Sequence, residues 1–385
     1  MDRLVVVGAS LAGLRAVEAA RKAGFDGTIT LIGAEPHLPY DRPPLSKAFL
    51  ESVEEPRVTQ YRDEAKLRDE LRIDLRLGTP ASAVDTEARA VRVGEEAVRY
   101  DALVIATGAQ ARTLPGCARP LRTVDDARAI RAALVDARRV VVIGAGFIGS
   151  EVASSARARG LEVTVVEAAP TPLVRAVGAL MGDRYAALHA RGGADLRCGT
   201  GVSAIEDGRV VLADGTVLNA DLVVAGVGAV PATDWLDGSA VRLADGVVCD
   251  ETLCTGVPGV YAAGDVARWH NPLFDRSMRL EHWTSAAEQG AVAARNALDP
   301  DNATAYQTVP YFWSDAYGSR LQFVGVLGPD EVRVVEEDGT GFTAVYREGD
   351  RCVGALTLDR PRHIMKLRRL IGVRGSWSDA VALIA

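Results

Sequence analysis

The sequence has few cysteines and no long apolar run. It contains five cysteines, an odd number, and five histidines, and none of them has the spacing of zinc or iron-sulfur ligands, so no metal site is predicted. No apolar stretch reaches the roughly 18 residues that span a bilayer, and no signal-peptide cleavage site follows the apolar N-terminal stretch. These absences predict a cytoplasmic protein in a reducing compartment, without a membrane segment.

An excess of basic charge is also lacking. The 44 Lys and Arg residues are outnumbered by 51 Asp and Glu residues, which gives a formal net charge of −7. This balance argues against a nucleic-acid partner, and any basic docking surface must be local. With 385 residues, 48% of them apolar, the chain is expected to form two or three globular domains.

Glycine, in contrast, is placed in a regular pattern near the N-terminus. The stretch VVVGASLAG (5–13) fits a Gly-x-Gly-x-x-Gly dinucleotide-binding fingerprint at Gly8 and Gly13, but Ser10 occupies the middle position. The first glycine of this fingerprint permits a tight turn, and the third lets the helix pack closely. Since the middle position needs only a small side chain, we expect Ser10 to loosen pyrophosphate binding without abolishing it.

The complete fingerprint returns as VVIGAGFIG (141–149). In both copies an Ala-rich amphipathic helix follows, and then a strand that ends in an acid, at Glu35 and at Glu167. These acids follow the first glycine by 27 and 23 residues, a spacing that suits a bond to an adenosine ribose. Further segments recur in the same order: DLRLGT (74–79) with DLRCGT (195–200), and YDALVIATGA (100–109) with NADLVVAGVGA (219–229). The sequence therefore predicts a duplicated nucleotide-binding domain.

The first copy has an insertion, PHLPYDRPPLSKAFL (36–50). It is Pro-dense and then helical, with Ser46 near the predicted helix start. Because it follows Glu35, it should lie at the carboxyl edge of the sheet, where ligands bind in doubly wound folds. A third signal, GVYAAGDVA (259–267), places Asp265 after a strand, where it would accept a bond from a ribityl hydroxyl or simply cap a helix.

In combination these segments resemble the two-dinucleotide-binding flavoproteins, and more closely the NADH-dependent ferredoxin reductases of bacterial oxygenase systems, of the putidaredoxin reductase type. The resemblance covers the whole chain and is carried by GASLAG, PYDRPPLSK, IATGA, GAGFIGSEVA, YAAGDVA, EHWTSAAEQG and VPYFWSDAYGSRLQFVG. It implies FAD on the first copy and NADH on the second. The implied fold is α/β, with two Rossmann-like, glutathione-reductase-like domains and a C-terminal α+β domain with an antiparallel sheet.

The resemblance also implies domain bounds and site residues. We expect an FAD-binding domain of residues 1–111 and 232–303, an NADH-binding domain of residues 112–231, and a C-terminal domain of residues 304–385. The implied FAD residues are Gly8, Ser10, Ala12, Gly13, Glu35, Arg42, Lys47, Ala106, Thr107, Gly108, Gly264, Asp265 and Trp283. The implied NADH residues are Gly144, Gly146, Ile148, Gly149, Glu167 and Gly228.

Two residues are implied to be catalytic. In the family the lysine of RPPLSK lies beside the reactive edge of the flavin and pairs with the glutamate of GSEVA, which here are Lys47 and Glu151. Without the resemblance, a solvated lysine and a helix-surface acid would be the simpler interpretations. Trp283 and Trp313 are implied to lie near the flavin, although large aromatic residues are also ordinary core material.

The choice of NADH over NADPH is also predicted by a physical argument that is independent of the resemblance. Glu167 would accept a bond from a ribose 2′-hydroxyl but repel the 2′-phosphate of NADPH. Two charges about 4 Å apart interact by roughly 4 kcal/mol at an effective dielectric constant near 20, enough for a preference of a few decades. Ala168, Ala169 and Pro170 follow, and Arg175 is the nearest cation that would counter this preference.

The last part of the sequence changes to alternating strands. RLQFVGVL, EVRVVEE, FTAVYRE and CVGALTL, with turns at Asp338-Gly339 and Gly349-Asp350, predict an antiparallel sheet closed by a helix. Residues 360–374 hold five arginines, one lysine and no acid. A solvated helix face is the default interpretation. The alternative is a docking surface for an acidic iron-sulfur protein.

The predicted activity is transfer of hydride from NADH to FAD, followed by single-electron transfer to a [2Fe-2S] ferredoxin that supplies a haem or Rieske oxygenase. No Cys-x4-Cys pair of the disulfide-reductase type lies near Lys47, and we interpret the spacing of Cys249 and Cys254 as coincidence. Two alternatives remain. One is an NADH-dependent reductase of a small acceptor such as a quinone, a radical or oxygen. The other is an NADH-sensing flavoprotein resembling apoptosis-inducing factor.

Overall fold

The computed structural model describes residues 1–339 and 341–384. Its helices are α1 (Leu11–Lys22), α2 (Ala48–Glu51), α3 (Val124–Asp136), α4 (Phe147–Ala158), α5 (Val174–Val177), α6 (Ala179–Arg191), α7 (Trp283–Leu298), α8 (Pro361–Gly372) and α9 (Trp377–Ile384). Short 3-10 turns cover Pro43–Ser46, Asp234–Leu236, Gly264–Val266 and Pro300–Asn302, and a π-helical turn covers Lys66–Glu70.

The strands of the first part of the chain are β1 (Arg3–Val7), β2 (Thr28–Ile32), β3 (Ile73–Arg76), β4 (Ala81–Asp85), β5 (Ala90–Val93), β6 (Glu96–Arg99), β7 (Ala102–Ile105), β8 (Ala109–Ala111), β9 (Arg119–Pro120), β10 (Arg139–Ile143), β11 (Glu162–Glu167), β12 (Asp195–Cys198) and β13 (Val202–Glu206). Those of the second part are β14 (Arg209–Leu212), β15 (Val217–Asn219), β16 (Leu222–Ala225), β17 (Ala229–Pro231), β18 (Val247–Cys249), β19 (Val260–Ala262), β20 (Ala267–Asn271), β21 (Arg276–Arg279), β22 (Tyr311–Ala316), β23 (Ser319–Gly325), β24 (Glu331–Glu337), β25 (Phe342–Glu348) and β26 (Arg351–Leu358).

The chain divides into two compact units. The first comprises Met1–Asp41, Val58–Gln110 and Val230–Pro310, and the second comprises Arg42–Arg57, Ala111–Ala229 and the residues from Tyr311 onward. The second unit thus groups the predicted NADH-binding and C-terminal domains and also takes up the segment that carries Lys47. The three predicted domain boundaries stay a prediction.

Each unit contains a five-stranded parallel sheet of the same design. The order is β3-β2-β1-β7-β19 in the first unit and β12-β11-β10-β16-β9 in the second. β1 and β10 occupy equivalent central places, and in both the first residue is exposed and the next four are buried. Strands buried on both faces explain the near-continuous Val, Ile and Leu runs of the sequence. The predicted duplication and fold class are confirmed.

An equivalent aspartate in each unit holds the start of the central strand. Asp101 accepts the backbone N–H of Arg3 at 2.9 Å and its guanidinium at 2.8 Å. In the second unit Asp221 accepts the backbone N–H of Arg139 at 2.8 Å and its guanidinium at 2.9 Å. The bond to Arg3 lowers the pKa of Asp101 to about 2, and the bond to Arg139 lowers that of Asp221. The repeat is therefore preserved in side-chain contacts as well as in strand order.

The C-terminal residues form an antiparallel sheet in the order β22-β23-β26-β25-β24. The four predicted strands match β23 to β26, while β22 was not predicted as a strand. The helix α8 packs on this sheet through its buried side chains Ile364, Leu367 and Ile371. In the described residues, 1–339 and 341–384, no helix is long and apolar enough to cross a membrane.

Two arginines hold the segment 42–57 within the second unit. Arg131 of α3 donates three hydrogen bonds of 2.6 to 2.7 Å to carbonyl oxygens of residues 49–53. Arg159 donates two more, one to Leu50 and one of 2.8 Å to Ser52. These carbonyls lie at the C-terminal end of α2, where they lack partners within the helix. The side chains satisfy them and thereby fix the helix that follows Lys47.

A buried histidine connects α6 to α4 and to the β22–β23 turn. His189 Nε2 lies 3.2 Å from Ser150 Oγ, and its Nδ1 lies 2.9 Å from the hydroxyl of Tyr317. The backbone N–H of Tyr317 in turn donates to Ser154 of α4 at 2.7 Å. Because the ring is fully buried, its charged form is disfavoured, and burial lowers the pKa of His189 to about 4.

This burial predicts a loss of stability in mild acid. Between about pH 6.5, the ordinary pKa of an unfolded histidine, and about pH 4, the unfolded chain binds a proton at His189 that the folded chain does not. The free energy of unfolding should therefore decrease as the pH is lowered through this range, by up to about 3 kcal/mol. Urea titrations at pH 7.0, 6.0 and 5.0 measure it. His189→Gln should lose this component of the pH dependence, whereas His270→Gln, at a half-buried position, should keep it. Equal slopes in all three proteins would contradict the prediction.

Candidate functional site

The first glycine fingerprint is closely packed at its two outer positions. A Cβ on Gly8 would lie 2.0 Å from the carbonyl oxygen of Ala106, and one on Gly13 would lie 1.9 Å from that of Gly8. Gly8 also has a φ of +119°, which other residues rarely adopt. Ser10 has ordinary extended torsions, φ −118° and ψ −159°, at the point where α1 begins. The loop therefore requires glycine at positions 8 and 13, and it accepts serine between them.

The second fingerprint shows the same contrast. A Cβ on Gly144 would lie 2.4 Å from the carbonyl oxygen of Gly226, and one on Gly149 would lie 1.9 Å from that of Gly144. On Gly146 the nearest atom would be 3.8 Å away, an ordinary van der Waals contact. The protein itself thus places no restriction on the middle position in either copy. A glycine is needed there only for the close approach of a ligand to the backbone.

Several predicted FAD residues of the first unit lie at the ends of neighbouring strands. Gly8 follows β1, the residues Ala106, Thr107 and Gly108 follow β7, and Gly264 with Asp265 follows β19. In the sheet these three strands are adjacent, and their carboxyl ends lie at one edge. The helix α1 begins at the same edge, and the first backbone N–H groups of a helix have no acceptor within that helix. Such an edge suits an anionic ligand.

Gly264 is held close to α1 and α7. Its φ is +80°, and a Cβ there would lie 3.0 Å from the Cβ of Ala12. Its backbone N–H donates to the buried side chain of Gln289 at 2.8 Å. The carbonyl oxygen of Asp265 accepts from Arg279 at 3.0 Å. These contacts bring Ala12, Gly264 and Asp265 together, and Gln289 is a residue that the sequence did not indicate.

Glu35 and Trp283 each have partners that the sequence analysis missed. The hydroxyl of Tyr40 donates to Glu35 at 2.5 Å. The indole N–H of Trp283 lies 3.0 Å from both Asp41 and the hydroxyl of Tyr61. Tyr40 and Asp41 belong to PYDRPPLSK, so the segment was recognised but not these side chains. Tyr61 carried no signal, because it meets Trp283 only in the folded chain.

In the second copy, Glu167 is hydrogen-bonded to the glycine loop. One carboxylate oxygen accepts the backbone N–H of Ala145 at 2.7 Å, and the other accepts that of Ala169 at 2.8 Å. The carboxylate therefore lies at the end of β11 beside the loop 144–149, where the second-strand acid of a dinucleotide-binding domain is found. Ile148, a residue of the same loop, is 41% exposed, and Gly228 has a φ of +93°.

Removal of this charge should change the choice of dinucleotide. Glu167→Gln keeps an acceptor oxygen but removes the charge that repels a 2′-phosphate. We expect the ratio of kcat/KM for NADH to that for NADPH to fall about 10- to 100-fold, a part of the roughly 4 kcal/mol of charge interaction. Steady-state assays with both dinucleotides measure this ratio. Glu162→Gln, at the exposed start of the same strand, should leave it unchanged, and an equal change in both variants would exclude the role of Glu167.

Lys47 and Glu151 form an ion pair within the second unit. The Lys47 Nζ lies 2.8 Å from Glu151 Oε2, and the two side chains are 19% and 3% exposed. Glu151 lies in α4, two residues after Gly149, on the helix that begins at the glycine loop. The pair that the sequence predicted only by resemblance is therefore in contact. A buried carboxylate of this kind is stable only because it is paired and hydrogen-bonded.

The remaining predicted residues have other surroundings. Arg42 lies in the second unit, where its guanidinium donates to the carbonyl oxygen of Arg122 at 2.9 Å. Thr107 donates to the carbonyl oxygen of Ala232 at 2.8 Å. Trp313 stacks on Tyr311, with ring centroids 5.8 Å apart. Arg175, the candidate cation for a 2′-phosphate, is exposed in the short helix α5.

The cysteines with the Cys-x4-Cys spacing are poorly suited to redox chemistry. Burial raises the pKa of the Cys249 thiol and that of the Cys254 thiol, which opposes formation of the reactive thiolate. The interpretation of their spacing as coincidence agrees with this environment. Within the part of the chain that the structure describes, no group of three or more His, Cys, Asp or Glu residues is arranged to hold a metal ion.

Comparisons with known proteins extend over the whole chain. Residues 2–290 match the Pyridine nucleotide-disulphide oxidoreductase family, and residues 311–383 match the Reductase C-terminal family. The anthranilate 1,2-dioxygenase system ferredoxin–NAD(+) reductase component of Burkholderia cepacia is 40% identical, over 98% of this chain and 96% of that protein. Rhodocoxin reductase of Rhodococcus erythropolis is 37% identical, over 96% and 89%. The crystal structure of a covalent putidaredoxin reductase–putidaredoxin complex superposes with a TM-score of 0.92 at 33% identity, over 100% of this chain and 98% of that one.

Proposed function

Because the chain belongs to the pyridine nucleotide-disulphide oxidoreductase family, we propose that it is an NADH-dependent ferredoxin reductase. It takes hydride from NADH and passes electrons singly to a [2Fe-2S] ferredoxin of a haem or Rieske oxygenase system. One relative is named as the ferredoxin–NAD(+) reductase component of a dioxygenase system and another as rhodocoxin reductase, and a similar structure is a covalent complex of putidaredoxin reductase with putidaredoxin. We expect the protein to act in the cytoplasm.

The duplicated glycine loop is the observation that carries this proposal. Gly8 and Gly144 both have positive φ and no room for a side chain, and each begins the turn into a helix, α1 or α4. One such loop is common, but two in one chain serve two dinucleotides. The other residues of the two sites support the assignment of FAD to the first loop and NADH to the second.

The residues of the first unit fit FAD. Gly8, Ser10 and Gly13 would hold the pyrophosphate at the N-terminus of α1, Glu35 the adenosine ribose, and Asp265 the ribityl chain. The supporting observation is the cradle at Gly8 and Gly13, which a Cβ would fill. When bound, FAD accepts two electrons from NADH and releases them one at a time.

The residues of the second unit fit NADH. Gly144, Gly146 and Gly149 would hold its pyrophosphate, and Glu167 its adenosine ribose. The carboxylate of Glu167 is already fixed by two backbone N–H groups, so it is oriented before a ligand arrives. Ile148 offers an exposed apolar surface beside the loop. No cation among residues 168–170 would offset the charge of Glu167 against a 2′-phosphate.

We assign to Lys47 and Glu151 the electrostatic part of the reaction. Lys47 supplies a fixed cation, and a fixed cation stabilises negative charge that develops near it. Glu151 holds the ammonium in place at 2.8 Å and keeps it from turning toward solvent. The pair thus supplies position and charge, while the cofactors make and break the bonds.

The basic segment 360–374 lies mainly on α8 and has one apolar and one charged face. Its buried side chains face the sheet, and Arg362, Lys366 and Arg369 are exposed. This arrangement matches the default interpretation of a solvated helix face. It also leaves a local basic surface on an acidic protein, of the kind that steers an acidic ferredoxin at low ionic strength.

Charge reversal tests this surface. The double variant Arg362→Glu/Arg369→Glu should lower the rate constant for ferredoxin reduction about tenfold at low salt and make it less dependent on ionic strength. Arg368 is left in place because it stacks over the ring of Tyr311. Arg191→Glu, another exposed arginine, is the control. An unchanged salt dependence in the double variant would assign the segment to solvation alone.

The proposed activity is tested with the purified holoprotein. NADH oxidation is measured with and without a panel of [2Fe-2S] ferredoxins, with cytochrome c as the terminal acceptor. A large stimulation by ferredoxin is the expected result. Rapid NADH oxidation without ferredoxin would instead favour direct reduction of a small acceptor. A reduced flavin that no carrier reoxidises, with a redox-dependent change in particle size, would favour a sensor.

A further inference from the structure

The buried carboxylate of Glu151 receives a hydrogen bond from the C-terminal sheet. The hydroxyl of Ser314, on β22, donates to Glu151 Oε1 at 2.6 Å. The other oxygen, Oε2, accepts from the hydroxyl of Ser46 at 2.5 Å and pairs with Lys47 at 2.8 Å. Ser314 is 1% exposed, so water cannot readily take its place. Three separate parts of the chain thus meet at one carboxylate.

The two oxygens have different functions in this arrangement. The terminal torsion of a glutamate has a broad energy minimum, so the side chain alone does not determine which way the carboxylate plane faces. Ser314 holds Oε1 from one side, and this leaves Oε2 directed toward Lys47. Without that bond only the contacts at Oε2, from Ser46 and Lys47, would orient the carboxylate. The plane of the carboxylate would then be less firmly fixed, and so would the ammonium of Lys47, whose other hydrogen bond is to the carbonyl oxygen of Pro43 at 3.1 Å.

We propose that Ser314 is a positioning residue, which orients the carboxylate of Glu151 and thereby fixes the ammonium of Lys47 for the transfer of electrons from NADH. This inference rests on the proposed function, in which the Lys47–Glu151 pair serves that reaction. Ser314 acts only through Glu151. Ser314 lies on β22, next to Trp313, so the C-terminal sheet is part of the site.

Because the chain has few lysines, the surroundings of Lys47 can be followed by NMR of labelled lysine side chains. The chain has only four lysines, Lys22, Lys47, Lys66 and Lys366. Holoprotein labelled with [ε-13C]lysine therefore gives four signals, and Lys47→Arg identifies the one from Lys47. Ser314→Ala should shift or broaden the Lys47 signal and leave the other three in place. Thr357→Val, which removes a fully buried hydroxyl elsewhere in the same sheet, should leave all four unchanged.

The kinetic measurement is the rate constant for reduction of bound FAD by NADH, obtained by rapid mixing. We expect Ser314→Ala to lower the limiting rate constant about 10- to 100-fold, as a small loss of orientation does. The NADH concentration for half the limiting rate should change little, because the glycine loop 144–149 is untouched. Thr357→Val should reduce FAD at the rate of the unaltered protein.

A double-variant cycle separates positioning from a general structural effect. If Ser314 acts through Glu151, adding Ser314→Ala to Glu151→Gln should lower the rate constant less than about twofold further. The same decrease in both backgrounds would overturn the inference, and so would an unchanged rate or an unchanged Lys47 signal in Ser314→Ala. Ferredoxin-dependent reduction of cytochrome c is not needed for any of these results, so failure of the proposed function would be seen separately.

Discussion

Gly8→Ala should yield a protein that no longer retains FAD. The new Cβ would lie 2.0 Å from the carbonyl oxygen of Ala106, and the residue would have to keep a φ of +119°. Strain of this kind costs at least about 3 kcal/mol, so we expect the affinity for FAD to fall 100-fold or more. The ratio of flavin absorbance to protein absorbance after gel filtration, followed by titration with FAD, measures the loss.

Two other substitutions show whether the loop itself is responsible. Gly24→Ala imposes a similar backbone strain at φ +86° but meets no atom within 4 Å, so it should lower stability by about 1 kcal/mol and keep its flavin. Ser10→Gly should bind FAD at least as tightly as the unaltered protein, because it restores the complete fingerprint. A Gly8→Ala protein with full flavin content would contradict the assignment of FAD to this loop.

Replacing Lys47 should slow the reduction of FAD by NADH by about 100-fold. Lys47→Met keeps the length of the side chain but removes the charge that we propose stabilises the transition state. It also leaves Glu151, which is 3% exposed, without its cationic partner, and this should lower the free energy of unfolding by about 3 kcal/mol. Rapid-mixing absorbance measures the rate, and urea titration measures the stability.

The double variant Lys47→Met/Glu151→Gln distinguishes these two effects. Without a buried charge it should regain most of the stability, while the rate constant should stay low. Lys66→Met, at a lysine that pairs with Glu70 on the surface, is the control and should alter neither quantity. A rate that recovers together with stability would mean that the pair has only a structural role.

Local patterns in the sequence were sufficient for the fold. The glycine fingerprints, the runs of Val, Ile and Leu, and the alternating strands of the last part of the chain predicted both parallel sheets and the strands β23 to β26. These features depend on residues close together in sequence, because glycine permits a turn locally and side chains alternate with every residue of a strand. The strand β22 was not predicted, because the segment YFWSDA was considered for its aromatic residues and not for the alternation of its side chains between two faces.

The partners of the site residues could not be predicted in this way. The bonds of Ser314 to Glu151 and of Trp283 to Tyr61 join residues 163 and 222 positions apart, and no local pattern records such a pair. The segment 42–57 also belongs by its contacts to the second unit, although it follows the first fingerprint in sequence. Arg131 and Arg159 hold it there through carbonyl oxygens, which every residue possesses and no residue type reveals.

The sequence by itself thus determined the duplicated fold, the glycine positions and, by resemblance, the identity of Lys47 and Glu151. Only the tertiary structure decided how that pair is held, because the orientation of the buried Glu151 carboxylate depends on donors from two segments that are distant from it in sequence. It also decided the question raised by Ser10. The middle position of each fingerprint has room for a side chain in the protein alone, so serine at that place is compatible with the fold.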